Sequence, residues 1–359
     1  MLSRDSEVPL HRQVSELLEQ RISSGLYGDS SRMPTELDIS RELGVSRSTL
    51  RLAFKHLEDR GLLTRGRGRG TYAKRRLPYP TDPSTPWIGI VGPSLDSILI
   101  QPVISGIESV LGPANISLRF QPTWDDASTL EATIRHAVSE GALGMLVFAA
   151  EDTIYSPAIA ELVGKGYPIC LFDRALQGLT TDCSMTDNVQ GGHIAASHLI
   201  SLGHERIAFV SRSTTSTYTV DCRRRGFRLA MELAGLQVSP SLDILGREWR
   251  QNTCSLLRSS ERPTAVFALN DNVAMNLITA VREMGLSVPR DLSVVGFDGS
   301  EIGARFMTPL TSVRQNFSDI GRIAAEMLMQ RIGGDTQYPR WVFSPPSLIV
   351  RQSCGAGSR

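Results

Sequence analysis

Between residues 87 and 332 short apolar runs alternate with amphipathic stretches, and this alternation restricts the fold more than any other feature of the chain. Strands are expected at 87–92, 116–120, 144–149, 168–172, 206–211, 264–269 and 292–297. Helices are expected at 103–111, 130–138, 191–202, 226–234, 274–284 and 320–332, where apolar residues recur at helical spacing. Strand–helix alternation of this kind builds parallel sheets covered by helices on both faces. About 270 residues exceed what a single core normally serves, so two sheets are expected in an α/β body of two lobes.

In open α/β sheets ligands bind beyond the carboxyl ends of the strands. Here those ends turn polar: Phe172 leads into Asp173 and Arg174, Leu269 into Asn270 and Asp271, and Phe297 into Asp298. Arg223 opens an apolar helix that follows the strand ending near Val210. Carboxylates, an amide and a guanidinium brought together suit a polyhydroxylated ligand, since adjacent hydroxyls both donate and accept. Trp249 is a candidate to stack on an apolar sugar face or on a nucleobase. Asp173, Arg223, Trp249, Asn270 and Asp298 are therefore candidates to meet a small ligand.

Ordinary globular usage, 41% hydrophobic and 21% charged, allows sizeable cores and excludes collagen, coiled coil and wholesale disorder. The longest uncharged apolar-leaning run, 141–150, is about half of a bilayer span. Residues 1–12 lack the apolar centre of a secretory signal, and the five cysteines are scattered with no zinc-site or disulfide-framework spacing. A cytoplasmic protein with reduced thiols, no metal and no cofactor is expected. His193 and His198 lie five apart on one helix, poor geometry for a shared metal.

The formal net charge of +1 conceals an asymmetry. Residues 1–76 hold 15 Lys and Arg against 10 Asp and Glu, whereas 47–76 alone hold 10 against 2. A cationic end on a near-neutral chain points to a polyanion-binding head. Leu10, Val14, Leu17, Leu18 and Ile22 form one stripe of a first helix. Thr35 and Asp38 have capping-box spacing for a short second helix that breaks at Gly44. Ser46 caps a third helix, which runs to about Arg60 and Gly61. That helix buries Leu50, Ala53, Phe54 and Leu57 and turns Arg47, Ser48, Arg51 and Lys55 outward. Two short helices joined by Gly-Val-Ser form a helix-turn-helix, whose second helix enters a major groove. The alternation around the glycines of 62–72 reads as a hairpin wing that lays Arg67 and Arg69 against the duplex. Its GxGxG string is not a phosphate loop, because no helix follows.

Four prolines in 77–86 mark a semi-rigid linker between the head (1–76) and the body (87–359). Within the body the lobes are expected at about 87–185 plus 315–335 and at 186–314 plus 336–353.

The string PTELDISRELGVSRSTLRLAFKHLEDRGLLTRGRGRGTY resembles the winged helix-turn-helix of GntR-type regulators. The resemblance covers about 8–73 and implies DNA contacts by Glu36, Arg47, Ser48, Thr49, Arg51, Arg67 and Gly68. Leu37 departs from the pattern at a position often filled by a long polar residue. The body strings LFDR (171–174), TDNVQGGHIAASHLISLGHERIAFV (186–210), RRRGFRLAM (223–231), AVFALNDNVAMNLITAVREMGLSVPRDLSVVGFDG (265–299) and PLTSVRQNFSDIGRIAAEMLMQRI (309–332) resemble the effector domain of LacI/GalR-type regulators, itself similar to periplasmic sugar-binding proteins. This second resemblance implies effector contacts at the five residues named above, with Asp96 and Ser97 as further candidates. The pairing of such a head with such a body is similar to the architecture of arabinose-responsive repressors. It implies a homodimeric, non-enzymatic repressor that binds a pseudo-palindromic duplex and a carbohydrate effector. A nucleobase or nucleoside effector, or one acting as co-repressor, is the alternative. A nucleotide-using α/β enzyme is more distant, since no strand–GxGxxG–helix turn, GxSxG, HExxH or P-loop occurs.

Overall fold

The computed structural model describes residues 9–23, 33–59, 63–66, 70–73, 85–92, 100–123, 127–149, 153, 155–176, 178–212 and 217–355. The chain divides into two compact units, Met1–Pro83 and Ser84–Arg359, with the cut inside the proline-rich stretch.

The first unit holds helices α1 (Leu10–Ser23), α2 (Glu36–Leu43) and α3 (Arg47–Asp59) and an antiparallel hairpin of β1 (Leu63–Gly66) and β2 (Gly70–Ala73). Thr35 and Asp38 close the expected capping box at the start of α2, the Asp38 amide donating to Thr35 Oγ1 at 3.3 Å. Gly44 ends α2 in the left-handed region at φ 63°, where a side chain would be strained. Val14 and Leu18 of α1, Ile39 of α2, and Leu50, Ala53, Phe54 and Leu57 of α3 are fully buried together. The Met33 amide donates to the Thr71 carbonyl at 2.9 Å and ties the approach to α2 onto β2.

The second unit contains two six-stranded sheets. The first runs β13–β7–β6–β5–β3–β4, from β3 (Trp87–Gly92), β4 (Ser117–Pro122), β5 (Met145–Val147), β6 (Ile169–Phe172), β7 (Asp182–Thr186) and β13 (Trp341–Ser344), all parallel. The second runs β14–β12–β11–β10–β8–β9, from β8 (Ile207–Ser211), β9 (Asp243–Leu245), β10 (Ala265–Ala268), β11 (Ser293–Asp298), β12 (Thr311–Arg314) and β14 (Ser347–Ile349), parallel except for β14. Strand periodicity divides the side chains between two cores in each lobe. Ile88, Ile90, Leu146 and Phe172 face α4 (Ile100–Leu111) and α12 (Phe317–Ile332). Their neighbours Val91, Met145, Val147 and Leu171 face α5 (Ala127–Ser139) and α6 (Pro157–Gly164). In the second lobe Phe209, Phe267 and Phe297 meet α7 (Asn188–Ser201) and α8 (Tyr218–Leu233), while Val210, Val266 and Val294 meet α9 (Trp249–Leu257) and α10 (Asp271–Glu283).

One helix pair in each lobe packs through reciprocal glycines. A Cβ on Gly192 of α7 would lie 2.0 Å from the Arg223 carbonyl oxygen, and one on Gly226 of α8 would lie 1.9 Å from that of Val189. Gly106 of α4 and Gly321 of α12 repeat the arrangement, at 1.9 Å from the Ser318 oxygen and 2.2 Å from that of Val103.

The backbone crosses between lobes three times: after β7, between β12 and α12, and between β13 and β14. The last crossing corrects the expected lobe boundary. Residues 336–344 belong with the first lobe, because β13 pairs with β7 in the register Trp341–Cys183 to Ser344–Thr186, and only β14 joins the second. Beside the crossings, the Tyr218 ring of α8 meets Trp341 of β13 edge-on, with centroids 5.4 Å apart.

Candidate functional site

On α3 the local chemistry holds an outward cationic face. Ser46 Oγ accepts from the Thr49 amide at 3.1 Å and lies 2.8 Å from both Ser48 Oγ and Thr49 Oγ1, which fixes the first turn. Arg47, Ser48, Arg51 and Lys55 are exposed and Thr49 is half-buried, while the opposite side of the helix forms the head's core. Arg51 Nε stands 3.9 Å from Glu36 Oε2 at the start of α2. This joins the two helices of the turn and orients the guanidinium without burying it. The wing residues Arg67, Gly68 and Arg69, and the helix end at Gly61, lie outside the described residues.

In the body Asp173, Arg223, Asn270 and Asp298 converge on one cleft, joined by Arg174, Thr219, Val220, Leu269 and Gln315. Asp173 and Arg174 follow β6 of the first lobe; Asn270 and Asp298 end the β10 and β11 regions of the second; Gln315 lies in the crossing between them. The cleft formed by these residues encloses about 60 Å³, room for a handful of waters.

Arg223 is buried, its guanidinium stacked 3.7 Å above the Phe297 ring. Its Nε donates to Asn188 Oδ1 and a terminal nitrogen to the Leu269 carbonyl, both at 2.8 Å. Asn188 in turn donates to the Thr186 carbonyl at 2.9 Å. From the opposite lobe, Arg174 holds Asp173 Oδ2 through Nε at 3.1 Å and through a terminal nitrogen at 3.0 Å, and lies 5.1 Å over the Phe148 ring. Its other terminal nitrogen, Nη1, is buried with no hydrogen-bond partner among the described residues. A buried donor left unmatched is costly, and an acceptor supplied by a ligand removes that cost.

Asn270 has a second duty as the N-cap of α10, its Oδ1 accepting from the Val273 amide at 2.9 Å. Asp298 accepts from Gln315 Nε2 at 2.8 Å, and Gln315 Oε1 accepts from Thr186 Oγ1 at 2.5 Å, so two lobe crossings end on this carboxyl. Burial, reinforced by the charges of Asp271 and Asp173, pushes the Asp298 carboxyl up to about 7 against the opposing effects of Arg223 and Gln315. Behind it Asp271 accepts from Ser312 Oγ at 2.5 Å and from the Ser300 amide at 2.7 Å, and its carboxyl is also raised by burial. Among the described residues three non-glycine positions have positive φ, and two of them are Asp173 (69°) and Asp298 (120°). Strain of about 1–3 kcal/mol at each is retained where the surrounding structure aims a side chain.

Trp249 does not join this group. It sits at the start of α9 within the apolar cluster of Leu242, Ile244, Leu257 and Val273, where the indole contributes to the core rather than to the cleft. Asp96 and Ser97 lie outside the described residues. Arg174 and Gln315 are cleft residues the expected set omits: Arg174 follows Asp173 in the same strand end, whereas nothing local marks Gln315. His204 is structural, its ring nitrogens 3.0 Å from Thr264 Oγ1 and 2.9 Å from Ser293 Oγ. No cluster of three metal-ligating side chains, and no helix long and apolar enough to cross a membrane, occurs among the described residues.

Comparison with known proteins matches residues 10–73 to the family described as bacterial regulatory proteins, gntR family, and 196–354 to the periplasmic binding protein-like domain. The arabinose metabolism transcriptional repressor of Geobacillus stearothermophilus is 29% identical over 98% of this chain and 99% of its own length. The HTH-type transcriptional repressor PurR of Pasteurella multocida is 26% identical over 89% of this chain and 98% of its own. Among solved structures, a LacI-family regulatory protein from Chloroflexus aggregans superposes with TM-score 0.67 at 27% identity, covering 74% of this chain and 98% of that one. A LacI-family regulator from Enterococcus faecium, solved with bound ribose, gives 0.61 at 27% over the same shares. These relatives are transcriptional regulators, not enzymes.

Proposed function

We propose, from a chain that carries a GntR-family helix-turn-helix domain followed by a periplasmic-binding-protein-like domain of the LacI-family regulator fold, a transcriptional repressor whose hold on operator DNA is set by a small polyhydroxylated effector. The observation that carries the reading is the convergence of Asp173, Arg174, Arg223, Asn270 and Asp298 on one interlobe cleft, in a chain whose α3 presents Arg47, Ser48, Thr49 and Arg51. Two arginines, two carboxyl groups and two amides line the cleft, and hydroxyls that both donate and accept match them, which supports a sugar or sugar derivative. The unmatched Arg174 nitrogen takes a sugar oxygen, and the Asp298 and Asp173 carboxyl groups exchange hydrogen bonds with its hydroxyls.

In this reading Arg47 and Arg51 reach base edges, Ser48 and Thr49 fix the register on phosphates, and Glu36 serves the DNA contact by holding Arg51, with Arg67, Gly68 and Arg69 supplying wing contacts. Two copies bind a pseudo-palindromic site in the cytoplasm, and the effector releases them. The test is fluorescence anisotropy with duplexes from the protein's own promoter region, with and without a panel of monosaccharides. Arg51→Ala should weaken specific binding about fivefold or more, since a good base contact is worth about 1–3 kcal/mol, and leave sugar-induced thermal stabilisation unchanged. Wild-type DNA affinity in that variant removes α3 from the reading; no stabilisation of the wild type by any sugar removes the carbohydrate.

A further inference from the structure

The outward face of α3 is not uniformly polar. At about 100° per residue, Arg51, Lys55, Ser48 and Leu52 fall within an arc of about 100°, diametrically opposite the buried Leu50, Ala53, Phe54 and Leu57. Leu52 is 53% exposed, one turn beyond Ser48 and about 60° around the helix from Lys55, while Arg51, with a side chain 70% exposed, holds the other edge of the arc. A single exposed leucine means little by itself; its position among the donors of the helix is what matters here. Those donors fit the edges and phosphates of a duplex, and a surface meant only for phosphate would place another polar group at this point. The major-groove edge of thymine carries one apolar group, the 5-methyl, and an aliphatic side chain among hydrogen-bonding neighbours matches it.

We infer that Leu52 is a specificity-determining residue that packs on a thymine methyl in the major groove, so that each half-site carries an obligatory T at the base pair facing the second turn of α3. The inference rests on the DNA-binding reading above and deepens it. The base read by Leu52 contributes through methyl burial, without a hydrogen bond, and its neighbours Arg51 and Ser48 read or position the adjoining pairs.

The experiment enriches a duplex from a randomised library with full-length wild-type protein, then replaces each thymine of that duplex in turn by deoxyuridine. Loss of one buried methyl corresponds to about a fourfold loss of affinity. Wild type should show this loss at one symmetry-related pair of thymines, whereas Leu52→Ala and Leu52→Gln should bind the thymine and uracil duplexes equally. Both variants change an exposed position, and circular dichroism verifies their fold. Equal binding of thymine and uracil duplexes by the wild type at every position overturns the inference, as does full discrimination by Leu52→Ala. Altered self-association of Leu52→Gln in sedimentation, with thymine discrimination intact, assigns the leucine to a protein contact and overturns it too. Failure to enrich any duplex refutes the DNA-binding reading itself, and the two failures are thereby distinguished.

Discussion

Substituting Gly192 by alanine should separate α7 from α8 and disable the cleft from a position that does not line it. The new Cβ would lie 2.0 Å from the Arg223 carbonyl oxygen, and an ordinary contact begins near 3.4 Å. Backbone faces it, so no rotamer relieves the clash and the helices must part by roughly 1.4 Å. Overpacking of this kind costs about 1–3 kcal/mol, and the upper end applies where both sides are backbone. Alanine's better helix propensity returns about 1 kcal/mol, leaving a net destabilisation of about 2 kcal/mol. The same displacement stretches the 2.8 Å bond from Arg223 to Asn188, whose carrier helix is α7, beyond hydrogen-bonding range. Effector affinity should therefore fall with stability. All four tryptophans lie beyond residue 86, so urea unfolding followed by tryptophan fluorescence reports the body alone. Gly164→Ala is the internal control: its Cβ meets nothing within 4 Å and its φ is not left-handed, so it should be neutral or stabilise by up to about 1 kcal/mol. Equal midpoints for Gly192→Ala and Gly164→Ala would refute the argument that the α7–α8 approach depends on a missing side chain.

The remaining predictions concern buried charge. The Asp298 carboxyl titrates near 7 in the folded protein, above its unfolded value, so the native state binds this proton more tightly and loses stability as pH rises from about 4 to about 7. The stability advantage of Asp298→Asn over wild type should accordingly grow across that window and level off above it; denaturation midpoints that differ by a constant amount from pH 4 to 8 count against the assignment. Arg331 Nε holds the fully buried Asp182 carboxylate at 2.7 Å, and the Arg340 amide donates to the same group at 2.7 Å. Arg331→Met should cost about 3–5 kcal/mol by stranding that charge, and Asp182→Asn in the same chain should recover part of it; additive losses in the double variant would show that the pair is not coupled.

Much of this architecture is legible in the chain. The seven apolar runs all contain strands, and the Thr35–Asp38 spacing closes a capping box. Two of the missed strands, β7 and β12, share a physical cause. β7, Asp-Cys-Ser-Met-Thr, is buried at every position, but Asp182 is neutralised by Arg331 and the strand carries two hydroxyl residues, so no apolar run announces it. β12 is similar, with Thr311 and Ser312 buried and Ser312 donating to Asp271. Polar groups satisfied by partners distant in sequence leave no local signature. The same reasoning separates the cleft residues. Asp173, Asn270 and Asp298 follow strands and could be located, whereas Gln315 acquires its place through Asp298 and through Thr186, 129 positions away. Trp249 shows the converse, for an aromatic near a strand end can serve a core as readily as a ligand.

The threefold crossing of the backbone also governs the order in which the body can be completed. A ribosome delivers β3 to β7 first, yet that sheet lacks its edge strand and the glycine-paired α12 until residues 317–344 emerge. By then every strand of the other sheet except β14 has already been synthesised. The half of the body begun earliest thus waits with an unpaired β7 edge while its neighbour assembles, and truncation before residue 344 leaves that edge open to aggregation.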